Sequence, residues 1–222
     1  MTIFLIDNFT EASDTPIESH DPDTGTAGSW APGSNAQNDD FAVEASSDSL
    51  MLELDAIRIA INTTDPGDSY YNVTGVGKTG GTTSGDRFGI RARSDTNTSA
   101  TRTAYEVVVR GSPGTVYLYR VISGSETLLD YYTISGFSGS TEYTLDLSVE
   151  TVDASTVNLR VSVDSTLRIN YNDTDAARIT STGYVGAYMD GLNARITYLR
   201  GQNSLSSSSV PVAMNSLTRR RR

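Results

Sequence analysis

The sequence predicts an all-β fold, an antiparallel two-sheet sandwich with an extended C-terminal arm. Three observations predict it. Apolar residues recur with period two over many short runs, which is the signature of strands with one buried face. Turn residues punctuate those runs at short spacing, at Asp65 to Asp68 (DPGD), Lys78 to Asp86 (KTGGTTSGD), Gly111 to Gly114 (GSPG) and Ser123 to Glu126 (SGSE). No segment carries an apolar stripe at helical spacing with caps, so almost no helix is expected.

The elements follow in order. The opening MTIFLIDNFT has an apolar run only from Ile3 to Ile6, with Asp7 next. That run is too short for a signal peptide or a membrane span and reads as a first strand. Asp7 to Asp40 is rich in Asp, Thr, Ser, Pro and Gly around a lone Trp30, and is expected to be irregular chain wrapped over the sheets. AIRIAI places Ile57, Ile59 and Ile61 on one face. YTLDLSVE sets Tyr143, Leu145, Leu147 and Val149 against Thr144, Asp146, Ser148 and Glu150. TVNLRVSVD does the same with Val157, Leu159, Val161 and Val163, and TLRINYND with Leu167, Ile169 and Tyr171. About a dozen strands are expected in one sandwich domain, residues 1–201. From Gln202 the alternation stops, and residues 202–222 read as a flexible arm, Ser-rich and then basic.

Composition narrows the function. At 222 residues and 37% hydrophobic, the chain can bury one sizeable core. Its net charge is −10, and removing the four terminal arginines leaves −14. So acidic a body repels nucleic acid and anionic membrane, and neither is expected as a partner. The absence of cysteine excludes thiolate nucleophiles, disulfides and cysteine-ligated metals.

Asp7-Asn8-Phe9 is followed by Thr15-Pro16-Ile17, then His20, Pro22, Asp23, Gly25 and Trp30. This segment resembles the opening of concanavalin A-like, laminin-G-like jelly-roll domains. Asp14-Thr15 stands where those domains usually have Gly-Thr. STGYVGAYMDGLNARITYL resembles their closing strands, and the resemblance spans residues 3–200. It implies a jelly roll but no single function, because that fold carries lectins, glucanases, adhesion modules and virion proteins.

Enzymatic chemistry finds no residue set. Glucanases on this fold carry E-x-D-x-x-E on one strand, with two carboxylates about 5 Å apart doing acid/base and nucleophile work. Here the stretch is Glu53, Leu54, Asp55, Ala56, Ile57, Arg58. A guanidinium stays protonated and cannot serve as the acid. His20 is the sole histidine and reads as a hydrogen-bonding group that holds the wrap, not a triad base. Val73 to Gly81 lacks phosphate-loop spacing and a following helix. No cofactor is expected. A structural calcium ion is the minor alternative, through Asp39, Asp40, Asp65, Asp68 and Asp190.

Two binding features remain. Exposed aromatics beside acids or amides can stack on pyranose faces, and Tyr70, Tyr131 and Tyr188 with Asp190 are the candidates. In Tyr70-Tyr71 and Tyr131-Tyr132 the alternation puts one ring on each face of the sheet. The arm carries Val210, Val212, Met214 and Leu217, then Arg219, Arg220, Arg221 and Arg222. It could lie along a neighbour's sheet edge while the arginines clamp carboxylates, and it faintly resembles the basic ends of some phage structural proteins. The leading expectation is therefore a structural virion protein, made in a host cytoplasm without a signal peptide. It would be displayed on a phage capsid or tail and docked through the arm to virion proteins or copies of itself. The alternative is a carbohydrate-binding module for cell-surface glycans.

Overall fold

The computed structural model describes residues 2–25, 30–32, 41–47, 49–52, 58–63, 66–67, 69–83, 85–95 and 101–203. Sixteen strands are present among them: β1 (Thr2–Asp7), β2 (Thr15–Pro16), β3 (Trp30–Pro32), β4 (Phe41–Glu44), β5 (Ser49–Leu52), β6 (Arg58–Asn62), β7 (Tyr70–Lys78) and β8 (Arg87–Ser94), then β9 (Ala104–Arg110), β10 (Thr115–Ile122), β11 (Ser125–Thr133), β12 (Tyr143–Asp153), β13 (Thr156–Val163), β14 (Thr166–Asp173), β15 (Tyr184–Asp190) and β16 (Arg195–Asn203). The only helical turn among the described residues is a 3₁₀ turn at Ile17–Ser19.

The strands form two antiparallel sheets. One has nine strands, ordered β14-β13-β12-β7-β16-β5-β4-β2, with β1 also paired to β16. The other has seven, ordered β11-β10-β9-β8-β15-β6-β3. Neighbours in space lie far apart in sequence, as a jelly roll requires, since β7 pairs with both β12 and β16.

Period-two patterning locates the core. Leu145, Leu147 and Val149 of β12 face inward and are fully buried, in register with Val163, Val161 and Leu159 of β13. Opposite them the seven-stranded sheet contributes Phe88, Ile90, Tyr105, Val107, Val109, Val116 and Leu118. The residues between, such as Arg160, face solvent.

The N-terminal segment is more regular than expected. Thr15 and Pro16 pair with Val43 and Ala42, and Trp30 to Pro32 pair with Asn62 to Ala60, so the wrap completes an edge of each sheet. One buried polar cluster holds it. The Asp7 carboxylate accepts hydrogen bonds from Phe9 N at 2.8 Å, His20 Nε2 at 2.8 Å and Trp30 Nε1 at 2.5 Å. His20 Nδ1 meets Glu11 Oε1 at 2.7 Å. With a carboxylate on each ring nitrogen, His20 is best satisfied as an imidazolium. Burial opposes that charge, but the hydrogen bonds and fields of Asp7 and Glu11 outweigh it, so the His20 pKa is raised. Of Val73 to Gly81, tested above as a phosphate loop, Val73 to Lys78 form the C-terminal part of β7. At the other terminus β16 continues through Gln202 and Asn203, which pair with Ile3 and Thr2, two residues past the expected start of the arm.

Candidate functional site

The outer face of the seven-stranded sheet carries a row of tyrosines. In β10, Val116 and Leu118 turn into the core, so Tyr117 and Tyr119 turn outward. In β11, Tyr132 packs against the core and Tyr131 points out with 61% of its surface exposed. Register sets Tyr131 directly opposite Tyr117. Their ring centroids are 6.3 Å apart, and Tyr117 stacks on Tyr119 at 5.8 Å with the rings 19° from parallel. The Arg110 guanidinium, from β9, lies 4.6 Å from the Tyr117 ring centre and donates from Nη2 to the Tyr119 hydroxyl at 3.0 Å. Leu128, opposite Tyr119, is 48% exposed and extends the surface. The result is an aromatic platform that is fixed by its own contacts and open on the Tyr131 side.

Further along this face several described side chains are covered. Tyr188, whose neighbours Ala187 and Met189 turn to the core, clusters on the outer face with Ile61 and Val108. It is 2% exposed, and burial pushes its hydroxyl up to about 12. A ring so covered offers no face to a pyranose, which corrects the expectation that Tyr188 stacks on a ligand. Gly89 is its cross-strand partner on β8. Asp190 is engaged as well, pairing with Arg87 at 3.4 Å. Glu106, 1% exposed, is held between Arg91 Nε at 3.0 Å and Arg102 Nε at 2.8 Å, and Arg102 also reaches Glu126.

A polar cleft of about 440 Å³ opens at the end of the same sheet, lined by residues including Asp95, Thr103, Ser181, Gly183 and Tyr184. A buried network holds its walls. The Tyr105 hydroxyl donates to Asp173 Oδ2 at 2.7 Å and accepts from Ile179 N at 3.0 Å, while Arg120 pairs with Asp173 Oδ1 at 2.7 Å. Arg93 Nη1 donates to Ile179 O, and Tyr71 donates to Thr182 O.

The other candidates fall elsewhere. Tyr70 lies on β7 of the nine-stranded sheet, half-buried, with Tyr71 fully buried beside it. Its sheet is the other one, so it does not join Tyr131. Glu53, Asp55, Asp39, Asp40, Asp65 and Asp68, the Arg58 side chain, and the whole arm from Val210 to Arg222 lie outside the described residues. Among the described residues no three His, Asp or Glu side chains come together as a metal-holding group. No helix among them is long and apolar enough to cross a membrane.

Tyr117, Tyr119 and Arg110 were not singled out from the sequence. The signal was present: VYLYR alternates, which puts both tyrosines on one face, and a short turn follows before Tyr131. Only the register could show that Tyr131 lands on Tyr117.

No protein family matches the chain, and no curated protein matches its sequence. Solved structures do match its fold. The carbohydrate-binding module CBM66 from Bacillus subtilis superposes with a TM-score of 0.52 at 15% identity, over 69% of this chain and 83% of that one. The exoplasmic/lumenal domain of VIP36, in a form bound to Ca²⁺ and Man3GlcNAc, gives 0.57 at 10% identity, over 83% and 87%. The GH43 protein BlXynB from Bacillus licheniformis gives 0.57 at 13% identity, over 90% of this chain but 39% of that one. At these identities the likeness is one of fold: the chain is a concanavalin-like jelly-roll β-sandwich of the kind found in lectin and carbohydrate-binding domains.

Proposed function

We propose that this chain is a glycan-binding module whose binding surface is the platform Tyr131–Tyr117–Tyr119 with Arg110. The observation that carries the proposal is Tyr131, a 61% exposed ring held beside Tyr117 on the outer face of a rigid sheet. Aromatic rings stack on the apolar faces of sugars, and a ring that is already ordered costs little entropy to use. The structures that share the fold favour this reading over a virion role, because several are carbohydrate-recognition domains. The reading is of a binding module, with no hydrolysis assigned to it.

Attachment to a virion or to further copies of the chain is a separate proposal, compatible with this one. It rests on the sequence of the arm, Val210 to Leu217 and Arg219 to Arg222.

A glycan array probed with the wild-type chain and with Tyr131→Ala tests the reading. Binding that the substitution reduces by about tenfold or more supports it. Binding that survives Tyr131→Ala unchanged moves the site elsewhere, and a blank array with folded protein rejects the function.

A further inference from the structure

One arginine on the outer face of the seven-stranded sheet stands apart from the others. Four arginines lie on or reach this face: Arg87, Arg91, Arg102 and Arg110. Three of them meet carboxylates. Arg87 has Asp190, Arg91 and Arg102 share Glu106, and Arg102 also has Glu126. Arg110 is the fourth cation, and no carboxylate among the described residues pairs with it. Its partners are the Tyr117 ring and the Tyr119 hydroxyl, and its Nε is buried without a hydrogen-bond partner.

Leaving it without a carboxylate is costly. Arg110 sits directly opposite Arg87 across the β8–β9 ladder, and like charges in that position repel. A guanidinium clamped by stacking keeps its donor fork in one plane, ready to meet two oxygens of an anion. Tyr117 links the two, its ring centre 4.6 Å from the Arg110 guanidinium and 6.3 Å from the Tyr131 ring centre, so the guanidinium and the open ring belong to one aromatic row.

We infer that the platform selects anionic glycans, with Arg110 receiving a carboxylate or sulfate group while Tyr131 supports the sugar ring. The inference rests on the glycan-binding reading and names the ligand class of the same site. A uronic or sialic acid and a sulfated sugar present the same chemistry, a delocalised oxyanion beside a pyranose face.

The test is an array of matched pairs. Each neutral glycan is set beside its carboxylated and its sulfated counterpart, and the array is probed with wild-type, Arg110→Gln and Tyr131→Ala chains, each checked by its melting temperature. The wild type should prefer the anionic member by about tenfold or more, the loss expected when one charged hydrogen-bonded partner is removed. Arg110→Gln should erase that preference, lowering binding of the anionic member by more than that of the neutral one. Tyr131→Ala should lower binding to every member. Whichever anion shows the preference identifies its source. A wild type without preference, or a preference that survives Arg110→Gln, overturns the inference. If Tyr131→Ala still lowers binding in that case, the glycan reading stands without it. A folded wild type that binds neither neutral nor anionic glycans removes the glycan reading, and the inference falls with it.

Discussion

Asp7→Asn removes one charge and almost no volume from the point where the N-terminal wrap is fastened. The Asp7 carboxylate is fully buried and receives donors from three separate places in the wrap, Phe9, His20 and Trp30. The amide can accept at one atom only, and its NH₂ group must then face donors. Breaking a buried pair by removing one partner costs about 3–5 kcal/mol. His20 retains Glu11 and can shed its proton, so the lower end, about 3 kcal/mol, is expected. Urea unfolding followed by fluorescence suits the question, because the lone tryptophan, Trp30, belongs to the cluster. The variant should also change the pH profile. The folded pKa of His20 is raised above its ordinary 6.5. The cluster's stabilisation is therefore complete below about 6.5 and is lost as pH rises through the folded value. With one histidine and no cysteine, His20 and the α-amino group are the groups that ordinarily titrate between pH 6 and 9. Wild-type stability should fall over that interval, and Asp7→Asn should flatten the fall. A variant within 1 kcal/mol of wild type, or a wild type that gains stability from pH 6 to 9, would refute the clamp.

Three further outcomes are expected. Leu147→Ala should cost about 2–5 kcal/mol through the cavity it leaves, and Val161→Ala about 2 kcal/mol, since the two residues are fully buried partners across β12 and β13. Arg160→Ala, on the exposed face of the same strand, should stay within about 0.5 kcal/mol in the same denaturation assay. Removing all residues after Asn203 should leave the melting temperature unchanged, whereas ending the chain at Gly201 should lower it by unpairing Ile3 and Thr2 of β1. If the arm docks, sedimentation should show the full chain associating with its partner or with itself and the version ending at Asn203 failing to do so.

The sheets were legible because burial on one face writes itself into the chain every second residue. Tyr143 to Val149 and Val157 to Val163 could be assigned to their faces with no knowledge of their partners. The short strands at Thr15–Pro16 and Trp30–Pro32 were not legible. They contain two or three residues each, too few to show a period, and their pairing is fixed by Asp7 and His20 at a distance. The platform was half legible. Alternation separated Tyr131 from the half-buried Tyr132, as the structure has it, but could not show that Tyr117 and Arg110 assemble beside it. Tyr188 was misjudged for the same reason: Ile61 of β6 and Val108 of β9 cluster with it on the outer face, and that depends on cross-strand register. Long-range pairing is a property of the whole topology, not of any window of sequence.

The central claim is that sugar rings rest on Tyr131 and Tyr117. Its most direct test is an NMR titration of tyrosine-labelled chain with an oligosaccharide that it binds. The account predicts that the ring signals of Tyr131 and Tyr117 shift with saturating ligand, Tyr119 less so, while Tyr70 and Tyr188 do not move. Shifts confined to Tyr184 at the polar cleft, or saturable binding that leaves Tyr131 unmoved, would contradict it.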